Sequence, residues 1–258
     1  MQTTTNIAVD IGNSAIKLAL KTAETLHEYS LSIDENNWQT SVVQWAQTQS
    51  VEQELAWHIA SVHPQSANAL TSHLRTICPA AKVRLVTWRD VPMEPKVDEP
   101  DQLGIDRLIS AYAASIDSEP PLIVVDAGSA ITVDFVAKDR NFHGGAILPG
   151  LGMQFVSLAK GTARLPLLRE RNREPQYPAK NTQDAIFSGV LTAATAAIDR
   201  LVMEYCKRAD IATETVPIVL TGGDAPIVSP LLQHNHERID NLVCRGLLHL
   251  QSSNEGIR

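Results

Sequence analysis

The sequence predicts an α/β fold made of two copies of one unit, each a three-strand meander followed by alternating helices and strands. Three observations carry this. The stretches Asn6-Ile-Ala-Val-Asp10-Ile-Gly12-Asn13-Ser14-Ala-Ile-Lys17-Leu-Ala-Leu20 and Leu122-Ile-Val-Val-Asp126-Ala-Gly128-Ser129-Ala-Ile-Thr132-Val-Asp134-Phe-Val136 follow one pattern, 116 residues apart. Each is an apolar run ending in Asp-x-Gly, a small polar residue and a returning strand. After each copy the apolar spacing changes to a helical period, and Asp117-Ser-Glu-Pro120-Pro121 stops a helix between the copies.

Taken in order, Asn6 to about Ile33 reads as three strands, with Ser14 to Leu20 alternating. A helix is expected over Trp38 to Gln47, a strand over Leu55 to Val62, a helix over Ala67 to Ile77 and a strand over Val83 to Thr87. Val91 to Gln102, with Pro92, Pro95 and Pro100, reads as a loop, and Leu103 to Ser115 as a helix. The second copy offers strands at Leu122 to Asp126, Ala130 to Ala137 and Phe142 to Leu148, then helices. Leu165 to Pro178 is a surface segment rich in Arg, Glu and Pro. Asn181 or Thr182 caps a long helix to about Lys207, a strand runs from Val216 to Leu220, and a last helix covers Leu242 to Gln251. This is the layout of two ribonuclease-H-like domains, 1–117 and 118–258, facing one another with the two Asp-x-Gly turns across a cleft.

Composition sets bounds on function. A chain of 258 residues with 44% hydrophobic and 20% charged residues can bury a core without disulfides or structural metal. A net charge of -7 argues against nucleic acid as a partner, since phosphate backbones call for a basic surface. Cys78, Cys206 and Cys244 are far apart and odd in number, so they read as reduced thiols. Asp10 interrupts the first apolar stretch, no eighteen-residue apolar run follows, and a cytoplasmic protein with no membrane partner is expected. His234 and His236 read as an exposed turn.

Each Asp-x-Gly turn can present backbone N–H groups and one carboxylate to a phosphate or its metal, with the glycine allowing close approach. By the two-residue strand period, Asn13 and Lys17 project from one side. Four further motifs narrow the chemistry: Leu103-Gly104-Ile105-Asp106-Arg107, Gly144-Gly145-Ala-Ile-Leu-Pro149-Gly150, Asn181-Thr182-Gln-Asp-Ala-Ile-Phe-Ser-Gly189 and Thr221-Gly222-Gly223-Asp224-Ala225. With these, the chain resembles the type III pantothenate kinases of the actin, Hsp70 and sugar-kinase superfamily, from Asp10 to about Gly246 and with the motifs in the family's order.

The resemblance implies ATP-dependent phosphorylation of pantothenate to 4'-phosphopantothenate, the first step of coenzyme A biosynthesis. It makes Asp10, Gly12, Asn13, Ser14 and Lys17 the first phosphate loop, with Asp10 near Mg²⁺ that completes its shell with phosphate and water. Asp126 would help hold a monovalent cation, K⁺ or NH₄⁺, and Ser129, where the family usually has Thr, would contact ATP. Gly145, Gly222 and Gly223 would lie against the nucleotide. Asp106 would be the catalytic base and Arg107 a two-pronged partner for the substrate carboxylate, with Gly104 and Ile105 in the same motif. Thr182 would reach pantothenate across a homodimer interface. Val97 stands where many members carry a tyrosine lining the pantothenate pocket, and Ser110 where the family often has Asn. Two other readings remain open: a related kinase with another small hydroxyl acceptor, and a non-catalytic nucleotide-binding regulatory protein.

Overall fold

The computed structural model describes residues 4–22, 25–49, 54–168 and 173–255, so residues 169–172 of the expected surface segment lie outside the described residues. Two compact units emerge. One holds the chain up to Ile116 and takes it back from Asn241, and the other is Asp117–Asp240.

In unit 1, β1 (Thr4–Ile11), β2 (Ala15–Lys21) and β3 (Leu26–Ser32) form the antiparallel meander. Helix α1 (Trp38–Gln49) leads to β4 (Glu54–Ser61), and α2 (Pro64–Ile77) to β5 (Lys82–Leu85), both strands adding in parallel. The sheet order is β3-β2-β1-β4-β5. Alternation decides what each face meets: Ile7, Val9, Ile11, Ile16, Leu18 and Leu20 pack with Trp38, Val42, Leu70 and Leu74 of α1 and α2. Ala8, Asp10 and Lys17 therefore belong to the opposite face, and α7 (Leu242–Glu255) packs on β1, β2 and β4. Helix α3 (Ile105–Asp117) completes the unit after a proline-rich loop.

Unit 2 repeats the plan. Strands β6 (Leu122–Ala127), β7 (Ala130–Val136) and β8 (Phe142–Pro149) make the meander, and α4 (Leu151–Gly161) and α5 (Thr182–Ala209) follow. Strand β9 (Ile218–Thr221), α6 (Ala225–Val228) and β10 (Glu237–Arg238) close it, with sheet order β10-β9-β6-β7-β8. Read from the third meander strand, both sheets have the same sequence of neighbours, so the duplication seen in the motifs extends to topology. Helix α5 is long and apolar enough to cross a membrane by length and composition. Its residues Phe187, Val190, Leu191, Ala194, Ile198 and Val202 are nevertheless buried in the unit 2 core with Ile123, Val125 and Leu220.

Three expectations need correction. The segment from Asn241 was placed with the second domain, yet it packs in unit 1, because the small, apolar residues on the free face of β1 and β2 need a cover. Asn13 sits in the turn before β2, so the strand period does not align it with Lys17. His234 and His236 are half-buried: Ser229 Oγ and His236 Nε2 are hydrogen-bonded at 2.7 Å, and His236 Nδ1 bonds the His234 carbonyl at 2.8 Å.

Candidate active site

In unit 1, Asp10 is the penultimate residue of β1 and stands opposite Lys17 across the β1–β2 ladder. Cross-strand partners share a face, so carboxylate and ammonium lie on the α7 side of the sheet. Asp10 is buried and Lys17 half-buried. The turn between them closes with the Gly12 N–H donating to the Ala15 carbonyl at 3.0 Å, leaving Asn13 and Ser14 exposed at the tip. Beneath the pair, Cys244 Sγ donates to the Lys17 carbonyl at 3.5 Å. Burial pushes that thiol well above its usual range, and the nearby Asp10 carboxylate adds to the shift.

Asp106 is the second residue of α3. Its Oδ1 accepts the Arg107 N–H at 2.8 Å, folding the carboxylate back over the helix start. Gly104 makes room for this, since a Cβ there would stand 2.6 Å from Asp106 Oδ1. Part of Asp106 stays accessible, while its carboxyl is largely enclosed. Desolvation therefore raises its pKa above the ordinary carboxyl value, and the Arg107 amide and guanidinium and the Lys17 ammonium pull the other way. The Lys17 charge is thus felt by both Asp106 and Cys244, which ties the base candidate to the first phosphate turn within one unit. Ile105 is buried, Arg107 and Val97 are half-buried, and Ser110 Oγ is buried one turn past Asp106 without a hydrogen-bond partner.

In unit 2 the turn is one residue shorter. The Gly128 N–H donates to the Ala130 carbonyl at 3.0 Å, and Ser129 at the tip is half-buried. Two glycines from elsewhere close on it. A Cβ on Gly150 would meet the Ser129 carbonyl at 2.3 Å, and one on Gly222, whose φ is +102°, would meet the Ala127 carbonyl and Asp126 Oδ1 at 2.4 Å. The Asp224 N–H donates to the Ala127 carbonyl at 2.8 Å, locking the β9–α6 turn onto the same spot. A carboxylate oxygen beside backbone carbonyls is the hard-oxygen set that suits an alkali cation, so Asp126 with the Ala127 carbonyl fits that group. Among the described residues no three His, Cys, Asp or Glu side chains converge. A divalent ion at Asp10 would thus take further ligands from phosphate and water, which suits Mg²⁺.

The remaining candidates divide. Gly223 has open space around its Cβ position. Gly145 pairs with Asp134 on β7, four residues along from the Ala130–Pro149 pair, about 13 Å at a strand's rise. Its missing side chain is needed by Asp134 Oδ1 and the Val133 carbonyl, each 2.3 Å from a Cβ there, so the structure does not bring Gly145 to Ser129. Thr182 is the exposed first residue of α5, and the cap is Asn181, whose Oδ1 accepts the Asp184 N–H at 2.9 Å. Thr182 lines an open recess of about 590 Å³ with Arg164, Pro166, Arg173 and Asp184, where Arg173 and Asp184 are paired at 3.0 Å. Sequence reasoning missed Cys244 under the first turn, Gly150 as a wall of the Gly128–Ser129 tip and Gly222 as a wall of Asp126. Only the glycine-rich motifs signalled the latter.

Comparison with known proteins identifies the family. A family model described as type III pantothenate kinase matches residues 6–204. A type III pantothenate kinase of Rhodopirellula baltica is 36% identical over 273 aligned residues, taking in 95% of this chain and 97% of that protein. One from Rubrobacter xylanophilus is 31% identical over 257, with 96% and 97% covered. Among solved structures, a Baf family transcriptional activator from Campylobacter jejuni matches 97% of this chain and 100% of its own, with TM-score 0.59 and 22% identity. The activator of 2-hydroxyisocaproyl-CoA dehydratase from Clostridium difficile, with bound ADPNP, matches 98% of each chain with TM-score 0.53 and 11% identity. Those two likenesses speak to the fold alone. With a family model spanning most of the chain and curated relatives aligned over nearly all of it, the chain belongs to the type III pantothenate kinase family.

Proposed function

We propose that the chain transfers the γ-phosphoryl group of ATP to the primary hydroxyl of pantothenate, with Asp106 as the base. Family membership supports the reaction and implies ATP with a divalent cation. The observation that supports the residue assignment is the enclosed Asp106 carboxyl at the start of α3, for which Gly104 leaves room and which desolvation holds above the ordinary carboxyl pKa.

Phosphoryl transfer needs an acceptor hydroxyl held in line with the γ-phosphorus, a group to take its proton, and stabilisation of charge on the phosphoryl oxygens. Asp106 takes the proton, its raised pKa making it a better base than an ordinary carboxylate. Lys17 and the tip of the Gly12–Ser14 turn meet phosphate oxygens. Asp10 would hold Mg²⁺, which when bound would neutralise phosphate charge. Ser129 contacts ATP, Asp126 with the Ala127 carbonyl would hold K⁺ or NH₄⁺, and Gly222 and Gly223 flank the adenosine. Arg107 takes the substrate carboxylate, and Thr182 reaches substrate from a second copy in a homodimer. Exposed Ile147 on β8 and Met153 and Val156 on α4 support such an interface. The protein works in the cytoplasm.

The test is ADP release by purified protein with ATP, Mg²⁺ and K⁺, with and without pantothenate. Pantothenate-dependent turnover that disappears in Asp106→Asn is expected. A wild-type protein that binds ATP but ignores pantothenate would overturn the reading, and half-buried Val97 in place of tyrosine then points to a different small hydroxyl acceptor.

A further inference from the structure

Helix α7 touches two parts of unit 1 that the chemistry must align. Cys244 faces the sheet, its Sγ on the Lys17 carbonyl at 3.5 Å. Gly246, two residues on and so about 200° around the helix, faces the other way. There it meets α3 at Ile109, one turn past Asp106: a Cβ on Gly246 would lie 2.6 Å from Ile109 Cγ2, 3.0 Å from the Ile109 carbonyl oxygen and 3.2 Å from Ala113 Cβ. One turn further, His249 Nδ1 and Tyr112 Oη are hydrogen-bonded at 2.8 Å, fixing the helices against sliding. The backbone contact at Gly246 makes this spacing intolerant, since a side chain can turn aside and a carbonyl in a helix cannot.

We propose that α7 is the spacer that sets the height of the Asp106-bearing helix above the first phosphate turn, with Gly246 as the positioning residue at the crossing. Cys244 anchors one side of the spacer and the Tyr112–His249 bond the other. The assignment rests on the proposed role of Asp106, and it concerns how that carboxylate is held rather than which acceptor it serves. A methyl group at Gly246 drives α3 away from α7 and leaves the β1–β2 turn in place, so proton transfer suffers and nucleotide binding does not.

The experiment compares wild type, Gly246→Ala, Ile109→Ala and the double variant by steady-state kinetics, ATP titration and amide hydrogen exchange. Gly246→Ala is expected to lower kcat about 10- to 100-fold, the scale of an ångström-size misplacement, with ATP affinity within threefold. Ile109→Ala, which removes the 2.6 Å clash, is expected to restore part of that loss in the double variant. Unchanged kcat, or kcat and ATP affinity falling together with no recovery in the double variant, overturns the proposal. If Gly246→Ala does not fold, Tyr112→Phe decides: a kcat lowered threefold or more at unchanged ATP affinity supports it, and an unchanged kcat overturns it. If wild type fails to use pantothenate, the acceptor reading falls while exchange still decides the spacer. Selective loss of protection at amides 107–113 relative to β1 and β2 supports it, and uniform or absent loss overturns it.

Discussion

The two Asp-x-Gly turns begin from nearly the same sequence and end as different devices. The first has a three-residue tip, open to solvent at Asn13 and Ser14, above a fixed base in which Asp10 faces Lys17 and Cys244 backs the strand. The second has a two-residue tip, half-buried, walled by Gly150 and Gly222 and stapled by the Asp224 N–H. One extra residue leaves the tip of the first turn exposed and free to adapt. Its absence makes the second a preformed nook of carbonyl and carboxylate oxygens. Duplication thus preserved the topology of the sheets and diverged where the turns meet their neighbours.

The sharpest break in the symmetry is the proposed base, Asp106, which lies in unit 1. Asp106→Asn should lower kcat by about 10²- to 10⁴-fold. It should also raise Tm slightly at pH 7. A carboxylate whose folded pKa is raised destabilises the fold when ionised, so its removal helps above that pKa and makes no difference below the unfolded value near 3.8. Thermal melts of both proteins at pH 7 and pH 3 check this, and a gain that grows toward pH 3 would contradict it. For the same reason the acid limb of wild-type kcat should turn over above pH 3.8.

Next come the glycines. Gly222→Ala, strained by a φ of +102° and by backbone 2.4 Å away, should cost about 2–4 kcal/mol. Gly12→Ala, whose nearest neighbour would be the Ala15 carbonyl at 3.3 Å, should cost under about 1 kcal/mol. Urea denaturation of the pair tests whether the second turn is the more rigid. Equal costs would erase the distinction.

A smaller effect separates the sheets. His58 in β4 has its pKa lowered from 6.5 to about 4 by burial and by the Arg84 charge, and it shares a 3.0 Å hydrogen bond with Asn6. The unfolded chain therefore takes up the proton first, and stability present above pH 6.5 is lost as pH falls toward 4, by at most about 1.4 kcal/mol per pH unit. His58→Gln should flatten that slope in unfolding curves taken across the window. Smallest of all, Ser110→Ala should leave stability unchanged or raise it by a few tenths of a kcal/mol, because it removes a buried hydroxyl without a partner.

Much of this was legible beforehand because strands advertise themselves. Alternating apolar residues on either side of Asp10 and Asp126 define register as well as position, and a repeated register implies a repeated sheet. The address of the last helix was not legible. Leu242, Val243 and Leu247 say that α7 is buried, and nothing in an amphipathic pattern says against which sheet. For the site, the motifs picked out Asp106 and the glycines near Asp126. The demand on Gly145 was not legible, because a glycine that accommodates a neighbouring strand's Asp134 looks the same in sequence as one that accommodates a ligand. Asn181 and Thr182 competed for the cap, and only side-chain geometry separates them.

The return of the chain to its first unit has a consequence for biosynthesis. Nascent chains fold domain by domain from the N-terminus while translation proceeds. Here the strands carrying Asp10 and Lys17 leave the ribosome early, but their covering helix comes only after all of unit 2. Unit 2 can close on itself during synthesis, whereas the sheet carrying Asp10 stays uncovered until α7 has been made. A message cut short between Ala225 and Leu242 would yield a chain with its motifs in place and the β1–β2 turn bare on one face.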